Sequence, residues 1–225
     1  MDENAIKVAV LTRIRARARS RVLPIVTSEF SLNGTGIRAD LVVLDKCFYG
    51  VEIKSAADTL KRLPSQMEGY ARYFDRTELV VAPKHLRGLR EIDLHGARVW
   101  RAEVLTEWET HAEGTKRHVT GQWLLHLLTA EEERRANRAI ERAKSDPQAA
   151  DLDELRRAEF VRAFTRRYGA TSSAFWEAVR GRRIVPDDLR LLSRFHAARE
   201  QQRAIEEKRT AHWAQWIEAM QTASN

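Results

Sequence analysis

The stretch GVEIKSAADTLKRLPSQMEGY, residues Gly50–Tyr70, contains the pattern on which the interpretation of the fold depends. Its first residues alternate as in a β-strand, and in that alternation Glu52 and Lys54 share one face. A carboxylate and an ammonium group are unusual where a strand presents side chains to a core. Helical periodicity follows, so the stretch predicts a strand with a polar end joined to a helix.

The helical part of this stretch has a start signal and an apolar stripe. Ser55 and Asp58, three residues apart, resemble a capping box and predict that the helix begins at Ser55. Pro64 is expected to kink or restart the helix. The stripe that should face the core consists of Leu60, Leu63, Met67, Ala71 and Phe74.

The composition is typical of a soluble globular protein, with 43% hydrophobic and 32% charged residues in a chain of 225. Apolar runs stay well short of the roughly 18 residues that a membrane span needs, and no signal peptide is visible, so a cytoplasmic protein without a membrane partner is expected. Cys47 is the only cysteine, which excludes a disulfide framework and a cysteine-based zinc site.

The net charge of +7 is modest and spread along the chain, with one local exception. The run RIRARARSR, Arg13–Arg21, is strongly basic. Such a run suits a phosphate backbone, which makes Arg13 and Arg17 candidate nucleic-acid contacts. The alternative is a solvated helix face.

Periodicity divides the chain into two predicted domains with a linker over residues 106–120. Residues 1–105 are expected to form a mixed α/β (α+β) domain, and residues 121–225 an all-helical domain. The first domain should open with a helix over residues 2–20, because Ile6, Val10 and Ile14 recur at helical spacing. Later strands are predicted near 79–82 and 97–105, and later helices near 121–144, 151–168, 172–180 and 187–221.

Three predicted strands in the first domain can be aligned by their hydrophobic pattern. A turn centred on Lys46 pairs Leu44 with Phe48 and places Asp40 opposite Glu52. A loop over residues 33–36 pairs Leu32 with Ile37 and places Glu29 opposite Asp40 by the same logic. Strict alternation predicts that one face of the first strand carries Val26, Ser28, Phe30 and Leu32, and that one face of the second carries Ile37, Ala39, Leu41 and Val43.

This register creates a row of three carboxylates, Glu29, Asp40 and Glu52, across neighbouring strands. Like charges directly opposite one another destabilise a sheet, and a divalent cation would remove the conflict. The row therefore indicates a metal site. The alternative is that the three acids face solvent on an open sheet.

The same residues carry a resemblance to a known superfamily. Asp40 followed by Glu52-Ile53-Lys54 resembles the PD-(D/E)XK nuclease signature, an acid on one strand and E-x-K on the next. Gln66 and Tyr70 resemble the Q-x-x-x-Y helix motif of its RecB-type exonuclease branch. The segment from Arg38 to Leu86 is similar to a small bacterial and phage family of this type, of unassigned role. The likeness covers residues 1–105, and it implies a restriction-endonuclease-like αβββαβ core.

The resemblance implies a Mg²⁺- or Mn²⁺-dependent nuclease that hydrolyses phosphodiester bonds, most plainly in DNA. Asp40 and Glu52 would hold the metal together with the backbone carbonyl of Ile53. Lys54 would orient or activate the attacking water, or stabilise charge on the phosphate. Gln66 and Tyr70 would contact the metal or the nucleic-acid backbone.

Further residues are candidates by position on the predicted sheet and helix. Glu29 would be an additional metal ligand if the loop over residues 33–36 has the assumed length. Arg38 shares the face of Lys54, and two opposed cations favour a phosphate between them. Lys61 and Arg62 would extend a phosphate-binding rim, although exposed helix charges often have no specific role.

Two other functions compete with the nuclease. One is a catalytically silent nucleic-acid-binding module on a nuclease-like scaffold. The other is a protein-interaction module whose working part is the helical region. The last predicted helix carries an apolar patch that would pack back on the domain, form a homodimer or bind a protein partner, and it consists of Trp213, Trp216, Ile217 and Met220.

Overall fold

The computed structural model describes residues 1–18, 22–102, 117–144 and 151–193, and the backbone of 109–112. In this part of the chain six strands form one mixed sheet in the order β1–β2–β3–β4–β5–β6, with helices on both faces, so the fold is of the mixed α+β class. The strands are β1 (Ile25–Leu32), β2 (Ile37–Leu44), β3 (Phe48–Lys54), β4 (Arg76–Val81), β5 (Arg98–Arg101) and β6 (Glu109–Ala112).

Five α-helices and three short 3₁₀ segments accompany the sheet in the described ranges. The α-helices are α1 (Glu3–Arg17), α2 (Leu63–Tyr73), α3 (Gly121–Leu125), α4 (Ala130–Lys144) and α5 (Leu152–Ala178). The 3₁₀ segments are Pro83–His85, Gly88–Glu91 and Pro186–Leu192. Strands β1 to β3 form an antiparallel meander, β4 and β5 continue parallel to β3, and β6 is antiparallel to β5.

The predicted register of the first three strands is confirmed. Leu32 pairs with Ile37, and Leu44 pairs with Phe48. Ser28 pairs with Leu41 and Phe30 with Ala39, so Glu29 and Asp40 stand opposite one another between those pairs. The hydrophobic pattern was sufficient here because a slip by one residue would have reversed every side chain.

The predicted strict alternation of these strands is wrong at Glu29 in β1 and at the facing Asp40 in β2. Phe30 and Ala39 pack in one buried cluster, whereas Val26 and Leu41 pack in the other. Glu29 has a φ of 55°, a left-handed conformation that is uncommon for a residue other than glycine. The local backbone irregularity changes which face the later side chains of β1 point to, and nothing in an apolar–polar pattern signals it.

The helix predicted from Ser55 begins later, at Leu63. The Ser55 backbone N–H and hydroxyl both donate to the Asp58 carboxylate, as the capping pattern requires, but they close a turn and not a helix. Pro64 lies in the first turn of α2, where its missing N–H costs no hydrogen bond. Pro64 therefore marks the start of α2, and it neither kinks nor restarts a helix, because no helix precedes Leu63 in this segment.

Other elements differ in extent. The helices predicted over 151–168 and 172–180 are one helix, α5, and the segment predicted as helix from 187 is 3₁₀ as far as Leu192. Strand β5 ends at Arg101, and β6 lies inside the segment predicted to be a linker. The remainder of the last predicted helix, including Trp213 and Met220, lies outside the described residues.

The sheet has a buried cluster on each face. One is rich in aromatic rings and lies under α2 and the middle of α5, with Phe48 in edge or tilted contact with Phe74, Phe160 and Phe164. Gly50 makes this packing possible, since a Cβ there would lie 2.4 Å from the Phe74 ring. The second cluster lies between the sheet, α1, the end of α5 and Pro186–Leu192.

Asp75 ties the helical region to the sheet. Its carboxylate accepts hydrogen bonds from the backbone N–H groups of Phe48 and Val119. Arg157 of α5 donates to both of its oxygens, at 3.1 and 2.8 Å. Residues of both predicted domains thus share one buried network, while the predicted division into two domains stays a prediction.

The helices of the described ranges include no segment that is both long and apolar enough to cross a membrane.

Candidate functional site

A polar cleft opens where β3 ends, between the start of α1 and the start of α2. Its volume is about 480 Å³. The predicted site residues that line it are Arg38, Asp40, Glu52, Ile53, Lys54, Arg62 and Gln66. Glu3, which the sequence did not single out, lines it as well. The fold therefore gathers most of the predicted constellation at one place.

Glu52 is the most enclosed carboxylate of the cleft, with 1% of the residue exposed. One of its oxygens accepts from Lys54 Nζ at 2.5 Å, and the other accepts from the Tyr70 hydroxyl at 2.6 Å. Tyr70 lies behind the cleft, fully buried, and burial followed by the charge of Glu52 raises its pKa well above the ordinary value. The phenol therefore stays protonated and orients Glu52 as a donor.

The Asp40 carboxylate has fewer hydrogen bonds from the described part of the protein than the Glu52 carboxylate. One of its oxygens accepts from the Ile53 backbone N–H at 2.7 Å. Burial, followed by repulsion from Glu52, raises the pKa of Asp40 to about 7. The two carboxyl groups therefore interact unfavourably when both are ionised, as the facing register predicted.

Glu29 belongs to a neighbouring ionic group and not to the cleft wall. Its oxygens contact Lys7 Nζ at 2.6 Å and Arg38 Nε at 2.7 Å. Lys7 also contacts Glu3 at 2.6 Å. Burial lowers the pKa of Lys7, but its hydrogen bonds to Glu29 and Glu3 outweigh that effect and leave it above the ordinary value.

Glu3, Glu29 and Asp40 can each offer a carboxylate oxygen within 4.8 Å of the others. Lys7 already neutralises part of this group, with 5% of the residue exposed. Sequence reasoning missed Glu3 and Lys7, although they are four residues apart on one face of α1. The packing of α1 against the first strands brings them to Asp40, and that contact has no sequence pattern of its own.

Gln66 supplies the clearest unmet polar group of the cleft. The residue is 8% exposed and its Oε1 is buried. Among the described residues this oxygen has no hydrogen-bond donor. A buried acceptor without a donor costs about 1–3 kcal/mol, so a donor or cation from outside the described structure would be stabilised there.

The predicted nucleic-acid contacts divide into two places. Arg38 and Arg62 line the cleft, and Lys61 is exposed next to Arg62 without lining it. Arg13 and Arg17 lie at the other end of α1, where they stack on Trp100. The basic run of α1 and the basic residues of the cleft therefore lie at different places on the fold.

The donor set of the cleft fits a hard divalent cation. Mg²⁺ is usually held by one or two carboxylates with waters and phosphate oxygens. An ionised carboxylate has about four lone-pair sites, so Glu52 and Asp40 retain accepting capacity beyond the hydrogen bonds described above. The crowding of two carboxyl groups and the unmet Gln66 oxygen are the observations that agree with such an ion.

The chain belongs to the bacteriophage P4 protein cII family, because that family's profile, described as "Bacteriophage P4 protein cII", matches residues 1–193. The match covers both the sheet and the helices α3 to α5.

Comparison with solved structures gives one described neighbour, the SPO1766 protein of unknown function from Silicibacter pomeroyi. It is 17% identical, with a TM-score of 0.41, and the alignment covers 64% of this chain and 92% of the other. None of the curated proteins compared with the chain matches it.

Proposed function

We propose that the protein is a Mg²⁺- or Mn²⁺-dependent nuclease of the PD-(D/E)XK type, with a restriction-endonuclease-like core, that hydrolyses phosphodiester bonds in DNA. The observation that carries the proposal is the joint presence of Asp40, Glu52 and Lys54 in one cleft with the unmet oxygen of Gln66. An ordinary structural ion pair would not need the second carboxylate.

Asp40 and Glu52 are the residues that would hold the metal. When bound, Mg²⁺ would polarise the scissile phosphate and lower the pKa of the attacking water. Lys54 Nζ, 2.5 Å from Glu52, is placed to orient that water or to stabilise negative charge on the phosphate. Tyr70 positions Glu52 through its hydroxyl, and Arg38 and Arg62 supply positive charge at the mouth of the cleft.

A specific observation favours a second candidate, a nucleic-acid-binding module without catalysis. Both oxygens of Glu52 accept hydrogen bonds within the protein, and Lys54 is 4% exposed. In that case the Glu52–Lys54 pair is a structural feature, and the basic residues around the cleft hold DNA without cleaving it.

Cleavage of labelled linear and circular DNA by the full chain, with Mg²⁺ or Mn²⁺ and with excess chelator, distinguishes the two functions. The nuclease requires cation-dependent cleavage that falls about 10²–10⁴-fold in Lys54→Ala, the usual contribution of a general acid or base. Lys46→Ala, which removes an exposed lysine from the β2–β3 turn, is the matched control and should cleave like the wild type.

Binding of DNA without cleavage in any divalent cation would establish the second candidate instead. Circular dichroism of each variant separates a lost function from a lost fold.

A further inference from the structure

A second pocket lies at the opposite end of α1 from the cleft. We call it the Arg–Trp pocket; its volume is about 160 Å³, and among the residues that line it are Arg13, Arg17, Tyr49, Arg76, Glu78 and Trp100. Glu3 of the cleft and Arg17 of the pocket stand at the two ends of one helix. At 1.5 Å per helical residue they are separated by about 20 Å.

Trp100 is the centre of the Arg–Trp pocket. It is 4% exposed, and three guanidinium groups lie over or beside its indole. The distances from the guanidinium carbon to the ring centroid are 4.7 Å for Arg13, 5.4 Å for Arg17 and 5.6 Å for Arg98. Arg76 stacks in the same manner on Tyr49, at 4.0 Å.

The charges of this group do not balance. Two carboxylates, Asp45 and Glu78, line the pocket against the four guanidinium groups. Glu78 lies 3.2 Å from Arg76, and Asp45 is exposed to solvent. Glu78 also attracts Arg13, but less strongly than Arg17 repels it across the indole, and an anion between the two guanidinium groups would remove the remaining cost.

Most of the unmet hydrogen-bonding groups at the pocket are donors; among the described residues the exception is Glu78 Oε1, which lies 3.2 Å from Arg76 Nε but forms no hydrogen bond with it. Trp100 Nε1, Arg13 Nε and Arg98 Nε are buried, and within the described ranges none of them has an acceptor. Indole and guanidinium nitrogens can only donate. A ligand that satisfies them must bring acceptor oxygens, and Arg forks match the tetrahedral oxygens of a phosphate.

We propose that the Arg–Trp pocket binds a phosphate group, as a site separate from the cleft. The phosphate has two possible sources, the backbone of a nucleic acid that follows α1 away from the cleft, or a free phosphate or mononucleotide. The volume corresponds to roughly five water molecules at their share of liquid volume, so a phosphate group fits. The proposal does not require that the cleft be catalytic.

The first arm of the test measures DNA binding by the full chain in chelator, where no metal-dependent cleavage occurs. Fluorescence anisotropy with a labelled duplex is recorded across a salt series for the wild type and for Arg13→Gln/Arg17→Gln. The control is Arg134→Gln/Arg138→Gln, which removes the same charge at the same spacing from exposed positions of α4. A backbone phosphate in the pocket predicts that the slope of log K against log salt falls by about 1 per lost contact in the pocket variant alone.

The second arm titrates inorganic phosphate and AMP and records the thermal unfolding temperature. A free phosphate as the ligand predicts stabilisation of the wild type and of the Arg134/Arg138 control, with at least a tenfold weaker effect in the pocket variant. Trp100→Phe, which keeps the ring and removes the Nε1 donor, should weaken whichever ligand binds while remaining folded.

Either positive arm supports a phosphate site and identifies its source. If the pocket variant and the α4 control behave alike in both arms, the proposal is overturned. Since neither arm depends on cleavage, that failure is distinct from failure of the nuclease proposal.

Discussion

Two acidic centres of this protein differ in how completely their charges are satisfied. Asp75, 4% exposed, accepts four hydrogen bonds, two from backbone N–H groups and two from Arg157. Asp40 and Glu52 instead face one another in an open cleft, and the pKa of Asp40 is raised to about 7 by burial and by Glu52. The first centre is complete within the protein, and the second is not.

A carboxylate whose hydrogen bonds are all made within the protein stabilises the fold, whereas carboxylates with unmet neighbours indicate a binding site. A carboxylate with four donors stabilises only the one arrangement in which all four meet. Two carboxylates beside an unmet Gln66 oxygen reduce stability unless a ligand from outside completes them. Incomplete satisfaction in a cleft is therefore a better indication of function than the presence of charge, which Asp75 shares.

The largest change in stability is expected at the complete centre. Asp75→Ala leaves two buried N–H groups without their acceptor and Arg157 without its carboxylate partner, and breaking a buried pair in this way costs about 3–5 kcal/mol. The free energy of unfolding from urea denaturation measures it. Asp187→Ala, at an exposed position, should change that value by no more than about 0.5 kcal/mol. A small effect of Asp75→Ala would show that the two centres do not differ as described.

At the incomplete centre, removing a carboxylate is expected to raise the free energy of unfolding instead of lowering it. A carboxyl whose pKa is raised in the folded state stabilises it at low pH and loses that contribution as the pH rises through about 7. Asp40→Asn should therefore be close to the wild type near pH 4 and more stable at pH 8, by at least about 1 kcal/mol, which is a shift of roughly 2–4 °C in melting temperature.

Asp40→Asn also distinguishes the effect of a bound cation on stability from the effect of losing one negative charge. At pH 8, added Mg²⁺ should raise the melting temperature of the wild type, because a ligand that binds only the folded state stabilises it, and should leave Asp40→Asn unchanged. Asp187→Asn serves as the control for the loss of one negative charge. A gain in stability that does not depend on pH would contradict the raised pKa of Asp40.

The effect to measure in Tyr70→Phe, which removes one hydrogen bond from Glu52 and keeps the ring in the core, is a change in catalysis and not in stability. A hydrogen bond to a charged group contributes about 1.5–3 kcal/mol, and part of that loss should appear as slower cleavage at saturating substrate. Because Tyr70 is buried behind Glu52, the proposed nuclease should lose kcat in this variant while KM changes little. An equal rise in KM would indicate a direct contact with DNA.

The sequence predicted the register of β1 to β3 because hydrophobic alternation and turn length constrain it together. Pairing Leu44 with Phe48 was sufficient to bring Asp40 to Glu52. The resemblance implied that Tyr70 contacts the metal or the nucleic-acid backbone, whereas Tyr70 is fully buried and donates to Glu52 instead. The alternative in which the acids lie on an open sheet is wrong for Glu52, which is buried.

Other features of the fold and the site depend on contacts that no sequence pattern predicts. Glu29 has a left-handed backbone and is engaged by Lys7, which lies 22 positions away in the chain. Arg157 reaches Asp75 from α5 across 82 positions. Such long-range pairings are decided by how the helices pack on the sheet, and single-strand patterns cannot specify them.

Binding of Mn²⁺ to the full chain at pH 8 tests most directly whether the incomplete centre is a metal site. The free Mn²⁺ signal in electron paramagnetic resonance is followed as protein is added, for the wild type, Asp40→Asn and Asp187→Asn. The account predicts that the wild type and Asp187→Asn remove one or two equivalents of Mn²⁺, that Asp40→Asn does not, and that affinity falls about tenfold per pH unit below 7. Equal binding by Asp40→Asn and the wild type, or no binding by either, would contradict it.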